Sequence, residues 1–199
     1  MSCEICGKQV VYRCSVCGKP LCTEHAKLQT ICPTHQTKTT LNHTVTQAKT
    51  KQEKHKIQDF VQRFWGEQEQ LAFDRKHIVK QLPAFIAKTG KHIIGFTSFT
   101  ELDNAIIIVA LGILPQYQNA GVGKSLIKKV EAEAKKQKKN KLLVATSNDD
   151  LPALGFYQSL GFQIFEVKPN VIAEKHGKTL KGINGLPVRD EIRLQKTLQ

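Results

Sequence analysis

Pro115-Gln116-Tyr117-Gln118-Asn119-Ala120-Gly121-Val122-Gly123-Lys124-Ser125-Leu126 lies between an apolar run, Ala105–Ile113, and a segment of helical periodicity. The small residues Ala120, Gly121 and Gly123 let the backbone come close to a ligand just where a helix begins. The first N–H groups of a helix lack internal partners and sit at its positive pole, so this junction favours a pyrophosphate. One such device, the nucleotide-triphosphate loop G-x4-G-K-[ST], finds its tail in Gly123-Lys124-Ser125. Its opening glycine falls at position 118, which is Gln118, so the nucleotide reading fails at its first residue.

Outward from this junction, short strands and helices alternate. Thr44–Ala48 reads as a short strand, and Ile57, Phe60, Val61, Phe64 and Trp65 recur at helical spacing up to Gly66. The runs Ala84–Lys88, His92–Thr100 and Ala105–Ile113, separated by Thr89-Gly90-Lys91 and Asp103-Asn104, predict an antiparallel meander. A helix over 121–138, a strand Lys141–Ser147, a short helix Leu151–Leu160 and strands Phe162–Lys168 and Asp190–Leu198 follow. Asn170–Pro187, with Gly177, Gly182 and Gly185, reads as a long loop near the substrate end.

Gln118, Gly121 and Gly123 fit the pattern Q/R-x-x-G-x-G/A. The strand–helix unit beyond them continues Thr146-Ser147-Asn148-Asp149-Asp150-Leu151-Pro152-Ala153-Leu154-Gly155-Phe156-Tyr157-Gln158-Ser159-Leu160-Gly161-Phe162. Together these stretches resemble the two signatures of the GNAT family of acyl-CoA N-acyltransferases. The resemblance runs from about residue 42 to 199 and takes in Phe64-Trp65-Gly66-Glu67 and Gly185-Leu186-Pro187-Val188-Arg189-Asp190-Glu191-Ile192. It implies an α/β (α+β) GNAT fold with a mixed, largely antiparallel central sheet flanked by helices. It also implies acetyl-CoA as cosubstrate and direct attack of an amine on the thioester.

By that resemblance, Gln118, Asn119, Ala120, Gly121, Val122, Gly123 and Lys124 cradle the CoA pyrophosphate through backbone N–H groups, and Lys124 and Ser125 add side-chain donors. The strand ending Leu111-Gly112-Ile113-Leu114 splays from Lys141–Ser147 and takes the pantetheine arm on its free edge, with an N–H near Ile113 as oxyanion donor. Tyr157 stands at the general acid's place, against a reading as a core aromatic. Asn148 either contacts the pantetheine or serves as a plain cap or turn residue. Many family members carry a catalytic carboxylate on the strand before the loop, but Ala105–Ile113 has none, so Glu67, Glu101, Asp103, Asp190, Glu191 or a water chain must take the amine's proton.

All six cysteines fall within the first 32 residues, in the order Cys3-x2-Cys6, Cys14-x2-Cys17, Cys22-x2-His25 and Cys32-x2-His35. Four pairs at two-residue spacing supply ligands for two tetrahedral zinc sites, because thiolate and imidazole suit that ion. The two Cys-Gly-Lys steps suit tight knuckles. The spacing resembles the B-box class of zinc domains, which implies cross-bracing: Cys3, Cys6, Cys22 and His25 on one zinc, Cys14, Cys17, Cys32 and His35 on the other. Such closed sites are structural. The division expected is a B-box-like zinc module over 1–40, suited to protein partners or self-association, and a GNAT domain over 41–199.

The net charge of +13 is concentrated. Residues 124–141 hold eight Lys against Glu131 and Glu133, which reads as the solvated face of a helix whose apolar side is Leu126, Ile127, Val130 and Ala134. Lys128 or Lys129 holding the CoA 3′-phosphate, or the whole face meeting an acidic partner, are the sharper alternatives. Two zinc ions on six thiolates leave the first 40 residues nearly neutral, which speaks against nucleic acid. No apolar stretch is long enough for a membrane span, and no secretory leader opens the chain, so the cytosol is the expected compartment. A homodimer is allowed. The function expected is an N-acetyltransferase; the alternative is an acyl-CoA sensor without turnover whose zinc module binds a protein.

Overall fold

The computed structural model describes residues 2–3, 6–9, 12–13, 20–22, 41–182 and 185–198. A two-stranded pair, β1 (Tyr12–Arg13) with β2 (Pro20–Leu21), precedes the main body. The main body is a seven-stranded sheet built from β3 (Thr44–Gln47), β6 (Ala84–Thr89), β7 (His92–Leu102), β8 (Ala105–Ile113), β9 (Lys141–Ser147), β10 (Gln163–Lys168) and β13 (Glu191–Thr197). Its order is β10-β13-β9-β8-β7-β6-β3, and every neighbouring pair is antiparallel except β8 with β9. The expected mixed, largely antiparallel sheet is therefore present, each strand within a residue or two of its predicted bounds.

Helix α1 (Lys51–Trp65) covers one face, with Ile57, Phe60 and Val61 buried against Ile86, Phe96 and Ala110. Helices α2 (Val122–Lys136) and α3 (Leu151–Ser159) cover the other, where Leu126, Ile127, Val130 and Tyr157 meet Phe85, Ile94, Ile108 and Val144. The lysines Lys124, Lys128 and Lys129 lie on the exposed side of α2, as its apolar spacing predicts. Gly95 of β7 leaves no room for a side chain against β8: a Cβ there would lie 2.9 Å from the Gly112 carbonyl oxygen. Among the described residues, no helix is long and apolar enough to cross a membrane.

Two stretches hold elements where no strand or helix was expected. A hairpin, β4 (Glu69–Ala72) with β5 (Arg75–Ile78), turns at Phe73 and Asp74, both with positive φ. Its turn is tied to the sheet because Arg193 forms an ion pair with Asp74 at 2.8 Å and its guanidinium lies 5.0 Å from the Phe73 ring centroid. Within the predicted loop 170–187 lies a short helix, α4 (Val171–His176), and the strand β11 (Leu180–Lys181) that pairs with β12 (Pro187–Val188).

Helix α1 opens with a reciprocal capping box: Thr50 accepts from the Glu53 N–H while Glu53 accepts from the Thr50 N–H. Lys88 of β6 donates to the same carboxylate at 2.7 Å, which stitches the helix start to the sheet. The bond from Lys88, helped by the Thr50 and Lys49 amides, holds the Glu53 carboxyl down at about 2. A carboxyl depressed in the folded state contributes stability above its unfolded value near 4.5, and that contribution is lost as pH falls toward 2. Wild type should therefore lose more stability than Glu53→Gln between pH 5 and pH 2, measured by urea midpoints; equal slopes would refute the stitch.

Candidate active site

Strands β8 and β9 are paired from Ala105↔Lys141 to Ile108↔Val144 and no further. Both continue, β8 to Ile113 and β9 to Ser147, so the sheet opens into a cleft at this end. The opening coincides with a bulge: Ser98 faces Ala110 and Phe99 faces Ile108, which leaves Val109 as the extra residue on β8. The bulge also exchanges faces along the strand. Ile106 and Ile108 join the core under α2, Ala110 joins the α1 side, and Leu111 and Ile113 return toward α2.

The loop beyond β8 closes the cleft's outer end. Leu114 donates its N–H to Ile94 at 2.9 Å, and the Gln118 side-chain amide donates to the Ile113 carbonyl at 3.2 Å. Asn119 and Gly121 both take left-handed φ, 62° and 80°, and a Cβ on Gly121 would meet open space. Glycine is thus required at 121 by backbone geometry, and the space over it is free for a ligand. Gly123 is small for a different reason: a Cβ there would stand 3.0 Å from the Phe156 ring. Val122 is buried as an anchor, and Lys124 is exposed at the helix start. The Ser125 hydroxyl, expected as a ligand donor, bonds back to the Gly121 carbonyl at 3.2 Å.

Where the strands part lies a cavity of about 300 Å³. Val109 to Leu111 and Ala145 to Ser147 form its strand walls, and Tyr157 reaches it from α3. Burial pushes the Tyr157 phenol above its ordinary range, with Asp150 as a smaller cause. Trp65 and Glu67 enter from the end of α1, Val188 from β12 and Glu191 from the start of β13. Three stretches singled out in the sequence, around 64–67, 146–150 and 185–192, therefore meet at one cavity.

The model of the GNAT acetyltransferase family matches residues 50–162, more than half of the chain. The Bacillus subtilis (strain 168) protein YdhI, itself uncharacterised, is 30% identical over 151 residues, 73% of this chain and 92% of that protein. The chain belongs to the GNAT acetyltransferase family. Its fold resembles that of the IAA acetyltransferase from Bacillus cereus ATCC 14579, with TM-score 0.66 and 23% identity over 79% of this chain and all of the other. It also resembles a GNAT family acetyltransferase from Elizabethkingia anophelis with acetyl-CoA bound, with TM-score 0.59 and 22% identity over 79% of this chain and 99% of the other.

This GNAT member departs from several expectations drawn from its sequence. Glu101 and Asp103 lie at the β7–β8 turn, at the far end of the sheet from the cleft, and Glu101 pairs with Lys139. Asp190 is bound to the Arg189 guanidinium and the Asn170 N–H, and does not line the cavity. Glu67 and Glu191 do line it. The sequence reading missed Gln70, Lys175 and His176 there, because they sit on the unexpected hairpin and on α4. It also passed over Asp150, whose carboxyl is pushed up by burial and by nearby Asp149, against the Ala153 N–H that it accepts.

Asn148 is a brace. Its amide donates to the Pro187 carbonyl at 2.8 Å, and its oxygen accepts from the Arg189 and Asp190 N–H groups, each at 2.9 Å. It is not among the residues lining the cavity, and these bonds fit its reading as a turn residue. Asn148→Ala should lower unfolding free energy by roughly 1–3 kcal/mol, since partners are left unpaired. A loss below a few tenths in a denaturant titration would contradict that role.

At the N-terminal end, the sulfurs of Cys3, Cys6 and Cys22 lie within 4.8 Å of one another, with Cys6 and Cys22 at 3.6 Å. Gly7, with φ 72°, turns the chain after Cys6 and donates its N–H to the Cys3 carbonyl. The other expected ligands, Cys14, Cys17, His25, Cys32 and His35, lie outside the described residues.

Proposed function

We propose that the chain transfers an acetyl group from acetyl-CoA to an amine within the β8–β9 cleft. The parting of the two strands beyond Ile108 and Val144, closed by the 118–124 loop, carries this reading. The freed edge of β8 from Leu111 to Ile113 is available to the pantetheine arm as an added strand. The loop Gln118-Asn119-Ala120-Gly121-Val122-Gly123-Lys124 offers N–H groups and a helix start to the pyrophosphate, with Leu114 and Ser125 at its two ends.

In the reaction the amine nitrogen attacks the thioester carbon, the new N–C bond forms and the C–S bond breaks. A backbone N–H near Ile113 stabilises the developing oxyanion. A lysine-like amine costs roughly 4–5 kcal/mol to deprotonate at pH 7, so a carboxylate or a water chain must receive its proton. Glu67 and Glu191 are the candidates that reach the cavity. Tyr157, held protonated by burial, gives its proton to the departing CoA thiolate.

We further propose that residues 1–40 form a separate module holding two structural zinc ions, with Cys3, Cys6, Cys22 and His25 on one and Cys14, Cys17, Cys32 and His35 on the other. Three sulfurs gathered within 4.8 Å suit one tetrahedral ion, and the spacing of the remaining residues suits a second. Metal analysis of the purified chain should give two zinc per molecule and one for Cys22→Ser. Equal zinc in both would count against the assignment. The module then serves a protein partner or a second copy.

The direct assay is CoA thiol released from acetyl-CoA by the full chain across peptide, polyamine and small-amine acceptors. Tyr157→Phe should keep acetyl-CoA binding and lower kcat by about 10²–10⁴. Unchanged turnover in that variant would remove Tyr157 from the chemistry. Acetyl-CoA binding with no acceptor turned over would favour the sensor function.

A further inference from the structure

We propose that the ion pair Glu67–Lys175 is the acceptor-recognition element, and that the acceptor is a small amine with a carboxylate beside its amino group, as in an α-amino acid. The inference rests on the acetyl-transfer reading and names the substrate class of that same cavity. Glu67 stands just past α1 and Lys175 on α4, and the Lys175 ammonium donates to the Glu67 carboxylate at 2.6 Å. Both line the cavity that Tyr157 also lines.

The other carboxylates of the cavity are engaged by the frame. Glu191 accepts from Arg193, which also holds Glu166 and Asp74, and Asp150 caps α3 through the Ala153 N–H. Glu67 is bound to a side chain that itself faces the ligand space. Lys175, whose side chain is only 14% exposed, engages one oxygen of Glu67, so an acceptor ammonium that takes the other brings a second cation beside it. A simple amine would set two positive charges against one carboxylate in a partly buried place, which is unfavourable. An acceptor carrying its own carboxylate meets both charges: its amino group takes Glu67 and its carboxylate takes Lys175. His176, on the same helix and the same cavity, adds a donor beside Lys175. The volume of about 300 Å³ must also admit the acetyl end of the donor, which suits an acceptor of amino-acid size.

The test is kcat/KM, from CoA thiol release by the full chain, for α-amino acids each paired with its own carboxamide and with the amine lacking the carboxyl group. The acid should exceed its carboxamide by roughly tenfold or more, because a site built around a paired polar group rejects the analogue that leaves it unpaired. Lys175→Met should collapse that ratio to near one, acting through KM, and Lys175→Arg should restore most of it. An unfolded variant would lose both substrates alike, so the ratio separates recognition from folding. Equal turnover of acid and carboxamide would overturn the proposal. Turnover confined to peptides or polyamines would also overturn it while leaving acetyl transfer intact, and no thiol release with any acceptor would remove both.

Discussion

Strands β8 and β9 stay hydrogen-bonded only as far as Ile108 and Val144, and the proposed acetyl transfer depends on the space that opens beyond them. A parallel pair in the middle of a sheet ordinarily stays shut, since each unpaired backbone group there forgoes a partner. Val109 supplies the reason for the opening. As an extra residue opposite β7, it bends β8 and reverses which side chains face which helix. Leu111 and Ile113 are thereby seated toward α2, and β8 delivers the chain to the 115–121 turn at the start of that helix. The bulge at Val109 and the end of the β8–β9 pairing thus fall at the same place in the sheet.

The cavity wall opposite the strands is assembled from pieces distant in sequence, and polar contacts hold those pieces in register. Asn148 ties the end of β9 to residues 187–190, which fixes where Glu191 enters. Arg193, two residues on, reaches Glu191, Glu166 and the Asp74 turn of the β4–β5 hairpin. Its charge is nearly buried, and it is accommodated because three carboxylates surround it. Lys175 closes the circuit from α4 to Glu67. The proposed acceptor side is thus a frame of ion pairs, whereas the proposed donor side is a frame of backbone.

Much of the strand, loop and helix start around 105–126 was legible in the sequence because its determinants are local. The αL requirement at Gly121, the helix start after it and the β-rich runs around it each act within a few residues. The stretches 64–67, 146–150 and 185–192 were recognisable individually, and their meeting at one cavity follows from the topology, which places α1, β9 and β13 at the same end. The hairpin and α4, which supply the opposite cavity wall, were not legible in the same way. The hairpin 69–78 is short and half polar, and it is held by Arg193 from about 120 residues away in the chain, a contact no periodicity encodes. Helix α4 spans only six residues, too few for a helical pattern to register, so Lys175 and His176 were read as loop. Asn148 shows the converse failure: the motif drew attention to the residue, but its partners lie about 40 positions downstream.

The central claim is that the parted strands and the loop after β8 receive acetyl-CoA. Amide hydrogen exchange of the full chain, with and without saturating acetyl-CoA, tests it most directly. The account predicts new protection confined to 111–114, 119–125 and the end of β9, with α1, β3 and β6 unchanged. Acetyl-CoA binding that leaves 111–114 and 119–125 unprotected, or that protects a different surface, would contradict it.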